Sequence, residues 1–290
     1  MQNYVLILLA ALLLTADFVF NKLFQRKAGT SIQTGLCFNA LLGLATAAIF
    51  WAIGGFRAEF SLYSALLASG TALLSLCYNI IGFRIMSGGK MAYYTLFLMC
   101  GGMLVPYIWG LLFLNEPFSL LRMLGLILII GAIVISNAGQ GKPSRGQLLM
   151  CVAVFFLNGF LSVVSKLHQI EAELPTVSTT AFVMLSGLAK FVFCGVTLIG
   201  LRMKSHSEER LAPDRRIWMI VPCSALVSGL SYFFQLVGAE NLPATVLYPF
   251  VTGGSIVFTT LAGWLVFREK PSAKLWLGVA LCVAGTFLFL

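Results

Sequence analysis

Ten apolar runs, each long enough to cross a hydrocarbon layer, leave this chain little sequence for anything else. They lie at about 4–21, 33–54, 62–83, 91–114, 121–138, 147–166, 177–201, 217–238, 243–267 and 273–290. A helix crossing the core of a bilayer needs about 20 apolar residues. Inside that layer the backbone finds no outside hydrogen-bond partner, so runs of this length read as helices. Composition agrees. Of 290 residues, 59% are hydrophobic and 10% charged, where soluble domains carry roughly 25% charged residues. Mean hydropathy is +0.95. The expectation is an all-α integral membrane protein with ten transmembrane helices, multi-pass in the cell membrane.

The first run lacks the basic start of a signal peptide. Met1-Gln2-Asn3-Tyr4 holds no cation, while Lys22, Arg26 and Lys27 follow the run, so it reads as a retained helix. The net charge of +9 does not point to nucleic acid. The cations sit in short loops, where they set orientation and meet lipid headgroups. All seven cysteines fall inside apolar runs and none forms a CxxC pair. They read as small packing residues. His168 and His206 have no second ligand at metal spacing. Neither a metal nor another cofactor is expected.

The chain repeats itself. "LLFLNEPFSLLRMLG" at 111–125 and "WLVFREKPSAKLWLG" at 264–278 stand 153 residues apart. At that shift Phe97 meets Phe250, Gly101 meets Gly254, Glu116 meets Glu269 and Gly125 meets Gly278. Earlier in each half the best shift is 144: "NKLFQ" at 21–25 lies over "SKLHQ" at 165–169, and "LLGLA" at 41–45 over "LSGLA" at 185–189. An insertion in the charged loop "RMKSHSEERLAPDRR" at 202–216 accounts for the change of shift. Five helices per half force the second half to enter the membrane inverted, an arrangement that suits carriers with a pathway between the halves. The division falls in "GQGKPSRG" at 139–146, giving repeats 1–141 and 142–290.

At this point the residues resemble the EamA-type branch of the drug/metabolite transporter superfamily. The features are two five-helix halves, Lys22 and Lys166 near the ends of helices one and six, and Glu116 and Glu269 just after helices four and nine. The resemblance covers essentially the whole chain. The family's Trp-Gly early in helix one is replaced by "LLLTADFVF", and its prolines in helices four and nine are displaced to Pro106 and Pro249. The resemblance implies export or exchange of small metabolites, driven by protons, another gradient or the substrate's own. It also implies cytoplasmic termini. The loop charges point the other way. Loops after odd-numbered helices hold 15 Lys and Arg, those after even-numbered helices 3 (Arg57, Arg122 and Lys166), which by the positive-inside rule places the termini outside.

Ionisable groups within lipid cost about 2.5–3.5 kcal/mol each at a helix centre, so they mark the first candidate site residues. Lys190 lies about 20 Å along helix seven, at about 1.5 Å per residue. Asp17 lies late in helix one with Asn21 one turn on. The two are natural partners, as an anion-binding or proton-coupling centre or as a structural ion pair. Polar residues at helical spacing extend the candidate cavity. They are Tyr78 and Asn79 on helix three, Tyr94 on helix four and Asn158, Ser162 and Ser165 on helix six. Helix eight adds Ser228, Ser231, Tyr232 and Gln235, and helix nine adds Thr245, Tyr248 and Thr252. Such residues also bind helix to helix. Together they suit a mixed polar and apolar solute. Glu116 and Glu269, each followed by a Pro within two residues, read as caps on the helix that follows. Gly101, Gly254, Pro106 and Pro249 read as packing or hinge positions.

A secondary transporter, an exporter of a small metabolite or amphiphile working by alternating access, is the leading expectation. A flippase for a lipid or lipid-linked sugar is the alternative. A polytopic membrane enzyme has less behind it, since no HExxH, DxxD or Ser/His/Asp set appears. The expected partners are a small-molecule substrate, membrane lipids and protons as coupling ion, with no nucleic acid. Monomer and homodimer both stay open. If Gly254 serves gating flexion, Gly254→Leu should cut flux in proteoliposomes without loss of folded protein.

Overall fold

In the computed structural model, residues 2–29, 31–87, 91–137, 144–204, 215–268 and 270–290 are described. They form ten helices: α1 Gln2–Ala28, α2 Ile32–Ile53, α3 Leu62–Ser87, α4 Met91–Phe113, α5 Leu120–Ser136, α6 Arg145–Ile170, α7 Thr179–Lys204, α8 Arg215–Asn241, α9 Ala244–Phe267 and α10 Ala273–Phe287. Eight are long and apolar enough to cross a membrane. α5 and α10, at 17 and 15 residues, are shorter, and they pack against each other. Most of the linker between the halves (138–143), the centre of the charged loop (205–214) and Glu269 lie outside the described residues.

Local chemistry sets several helix starts. Serine hydroxyls accept from the third residue of α2 (Ser31), α5 (Ser119), α6 (Ser144) and α10 (Ser272). At α6 the Gln147 side chain returns the bond and completes a capping box. Two helices run past their apolar stretches. α1 continues to Ala28, so Asp17 is central in it and not late. α6 continues to Ile170, so Lys166 is a buried helix residue and not a loop cation.

Large side chains such as Leu66, Leu112, Val196 and Leu265 are exposed around the outside, as lipid-facing positions should be. The tightest pairing is α2 with α7. There Gly43 faces Gly187: a Cβ on Gly43 would lie 2.6 Å from the Gly187 carbonyl oxygen, and one on Gly187 2.8 Å from that of Gly43. α1 packs on α8 and α9, while α6 packs on α3 and α4. The Tyr4 hydroxyl donates to the Phe289 carbonyl at 3.3 Å, which brings both ends of the chain to one side. On that side the α2–α3 and α6–α7 loops join. The Ser178 N–H donates to the Glu59 carboxylate at 2.7 Å and holds that carboxyl below the usual carboxylate range.

Gly254 packs against α1, with a built Cβ 3.3 Å from the Ala11 methyl. Gly254→Leu would push α1 off α9, so lost flux there would report packing as much as flexion. Gly187→Val should lower the unfolding temperature in detergent by the equivalent of about 1–3 kcal/mol, the usual cost of overpacking. An unchanged melting curve would count against the close α2–α7 crossing.

Candidate functional site

Three connected lobes open between the helices, with volumes of about 220, 360 and 530 Å³. Asp17 and Tyr78 border all three. The largest runs toward the α1–α2 loop, reaching Gly29, Ser31 and Phe267. The second runs the other way, to Gln235, Tyr248 and Thr252. The nine residues singled out for a cavity all line it. Lys190 borders the first and third lobes, Tyr232 the first and second, and Asn79 and Tyr94 the third. Asn158, Gln235 and Tyr248 border the second.

Asp17 is answered mainly from α8. The Ser224 hydroxyl donates to Oδ1 at 2.5 Å and the Asn21 amide to Oδ2 at 3.0 Å. Lys190 shares two lobes with Asp17. Its ammonium donates no hydrogen bond to any described residue, so its three donors are left for what enters the cavity. The expected Asp17–Lys190 pair is thus a shared lining, with Ser224 as the direct partner of the acid.

Other lining groups are partly committed to packing. Asn158 donates to the Leu98 carbonyl at 2.8 Å and ties α6 to α4. The Tyr232 and Ser165 hydroxyls share a bond of 2.8 Å. Tyr248 donates to the Ser162 carbonyl at 2.6 Å, and Gln235 bonds Ser231 one turn back. Sequence reasoning missed Thr46, Thr71, Ser75 and Ser186, which line the first lobe. Thr71 and Ser75 stand at helical spacing with Tyr78 and Asn79, a stripe the sequence does carry, whereas Thr46 and Ser186 are small polar residues that a single sequence does not separate from packing ones.

The repeated Glu behaves differently from the sequence expectation. Glu116 does not cap α5, whose start is held by Ser119. It reaches across the bundle to α9, where its carboxylate accepts from the N–H groups of Ala244 at 2.6 Å and Thr245 at 2.9 Å. Lys166 donates to the carbonyls of Ala239 and of Leu242, the latter at 2.7 Å, at the end of α8. Pro106 and Pro249 are buried inside α4 and α9. Gly101 lies against the Phe155 backbone, where it admits α6.

Residues 144–290 match the model of the EamA-like transporter family. The chain belongs to that family and is a multi-pass integral membrane protein of the cell membrane. Among named relatives it is 27% identical over 180 residues to a riboflavin transporter of Brucella anthropi, covering 62% of this chain. It is 37% identical over 73 residues to a probable 4-amino-4-deoxy-L-arabinose-phosphoundecaprenol flippase subunit, ArnE, of Pseudomonas syringae pv. syringae, covering 25% of this chain. The chain spans under two thirds of these two relatives, 60% and 63% of their length. The spermidine export protein MdtI of Yersinia enterocolitica is 33% identical over 72 residues, which are 24% of this chain and 64% of that one. A solved crystal structure shares the fold, with a TM-score of 0.80 at 16% identity, covering 99% of this chain and 96% of the other.

Asp17→Ala should lower the unfolding temperature in detergent by the equivalent of about 1–3 kcal/mol, because Ser224 and Asn21 lose their acceptor inside the membrane. Lys190→Ala should leave it nearly unchanged, since no protein hydrogen bond is lost. Equal losses in the two variants would contradict this account of the site.

Proposed function

We propose that the protein is a secondary transporter that exports a small metabolite or amphiphile across the cell membrane by alternating access. The observation that carries this reading is the lobed cavity around Asp17 and Lys190 within a member of the EamA-like family. A charged, hydroxyl-lined space in mid-membrane is costly to keep unless something polar passes through it. The relatives carry riboflavin and spermidine, which supports a soluble, polar small molecule here, with protons as a coupling ion. Lys190 offers unused donors and Asp17 remaining lone pairs. Tyr78, Tyr94 and Tyr232 add flat apolar faces with hydroxyl tips. The reading includes transport without catalysis.

We also propose the division into repeats 1–141 and 142–290. Its support is that copies of one motif meet: Gly43 of "LLGLA" lies against Gly187 of "LSGLA". Under the shift of 153, Gly125 against Gly285 becomes Gly278 against Ala132, and both contacts are present. The pairings α1 with α8 and α6 with α3 exchange in the same way.

The ArnE likeness favours a second reading, a flippase for a lipid-linked sugar. One experiment separates the two. Proteoliposomes holding wild type or Lys190→Ala would be tested for flux of a labelled metabolite panel, with and without a pH gradient. Saturable flux in wild type that falls at least about tenfold in a folded Lys190→Ala, a barrier change of about 1.4 kcal/mol, supports the carrier with Lys190 in its site. No flux of any soluble solute, with flipping of a fluorescent lipid-linked sugar, replaces it with the flippase.

A further inference from the structure

Past the second lobe, whose lining ends at Leu236 on α8 and resumes at Tyr248 on α9, lies a short turn. α8 ends at Asn241 and α9 begins at Ala244, so only Leu242 and Pro243 join them. Leu242 and every residue from Ala244 to Val251 are buried. At the far end the third lobe reaches out to Gly29 and Ser31. The turn is thus closely packed between that second lobe and the side that carries both ends of the chain.

The turn holds itself only in part: the Pro243 carbonyl accepts from the N–H groups of Val246 and Leu247, and the Leu242 N–H donates to the Gly238 carbonyl. Pro243 at the start of α9 offers no side-chain cap, whereas α2, α5, α6 and α10 are capped by their own serines. The free N–H groups of α9 are met by Glu116, 128 residues away for Ala244. The carbonyls at the end of α8 are met by Lys166. Each charge faces the helix end whose dipole it complements. Glu116 is itself held in place. Its N–H donates to the Gly110 carbonyl at 3.1 Å, and Asn115 turns the chain through a left-handed φ of 53°. The Gly110 position leaves room for the carboxylate, since a Cβ there would lie 2.7 Å from Oε2. Tyr248, one turn into α9, ties this region to α6 through the Ser162 carbonyl.

We infer that Lys166 and Glu116 are positioning residues for transport: together they lock the α8–α9 turn shut, and their release opens the cavity on that side. This rests on the transporter reading above. The sequence repeats the pair at the opposite end as Lys22 and Glu269. Lys22 lines the third lobe here, with its ammonium 4.4 Å from the centre of the Phe267 ring.

The test reads both ends at once and needs no substrate. With the seven native cysteines replaced, one reporter is Thr245→Cys, a buried site whose hydroxyl has no hydrogen-bond partner among the described residues. The other is Asn39→Cys, which lines the third lobe. Each is labelled in proteoliposomes with a membrane-impermeant maleimide from its own side. With Lys166→Gln or Glu116→Gln, labelling at 245 should rise by about tenfold and labelling at 39 should fall by a similar factor, as a two-state shift requires. Local loosening alone would raise the first and leave the second unchanged, and that result overturns the lock. Should the Gln variants fail to fold, Lys166→Arg and Glu116→Asp keep the charges but move their heads. A smaller reciprocal change is then expected, and none overturns the proposal. Reciprocal labelling without any solute flux would keep the lock and remove the solute carrier reading.

Discussion

The carboxylate of Glu116 closes over the first N–H groups of α9, and the ammonium of Lys166 closes over the last carbonyls of α8. Every helix leaves such groups unmet at its ends. In water they would be solvated. In this bundle they lie buried, where an unmet polar group is expensive. The serine-capped starts solve the problem locally. The α8–α9 junction solves it with two charges borrowed from α6 and from the α4–α5 linker. The placement of the α8–α9 junction therefore depends on residues outside the junction itself.

The same rule shapes the cavity. Polar side chains in mid-membrane answer one another: Asp17 with Ser224 and Asn21, Tyr232 with Ser165, and Asn158 with a carbonyl of α4. What these bonds leave over defines what the site can offer a solute. Lys190 keeps its donors, and the acid keeps lone pairs beyond its two bonds. The bonds that fix the walls lie mostly between helices, so the lining keeps its shape only while the helices keep theirs. A change in helix placement changes wall and opening together.

Close packing carries that coupling. Gly43 and Gly187 bring α2 and α7 to backbone contact, and Gly125 and Gly285 do the same for α5 and α10. Contacts of this kind are stiff against separation, because a void there has no solvent drive to close it and dispersion falls off within an ångström. They suit pivots between rigid groups of helices.

The ten helices, their order and most of their limits were legible in the sequence, because a hydrocarbon layer sets the length and composition of each span locally. The matched Gly, Glu and Lys behind the proposed repeat were legible too, since fixed offsets need no structure to be seen. The cavity candidates from Asp17 to Tyr248 were found as polar residues where lipid tolerates few. Partners were not legible. Glu116, directly before Pro117, looked like a cap for α5, and it serves α9. Asp17 looked like a mate for Lys190, and it bonds Ser224 at a separation of 207 residues. Lys166 looked like a loop cation, and it is buried against α8. Sequence settles what each helix is because that depends on neighbours along the chain and on the solvent around it. Tertiary structure settles whom each charge meets, because an ion in the membrane bonds whatever helix end the packing brings within about 3 Å.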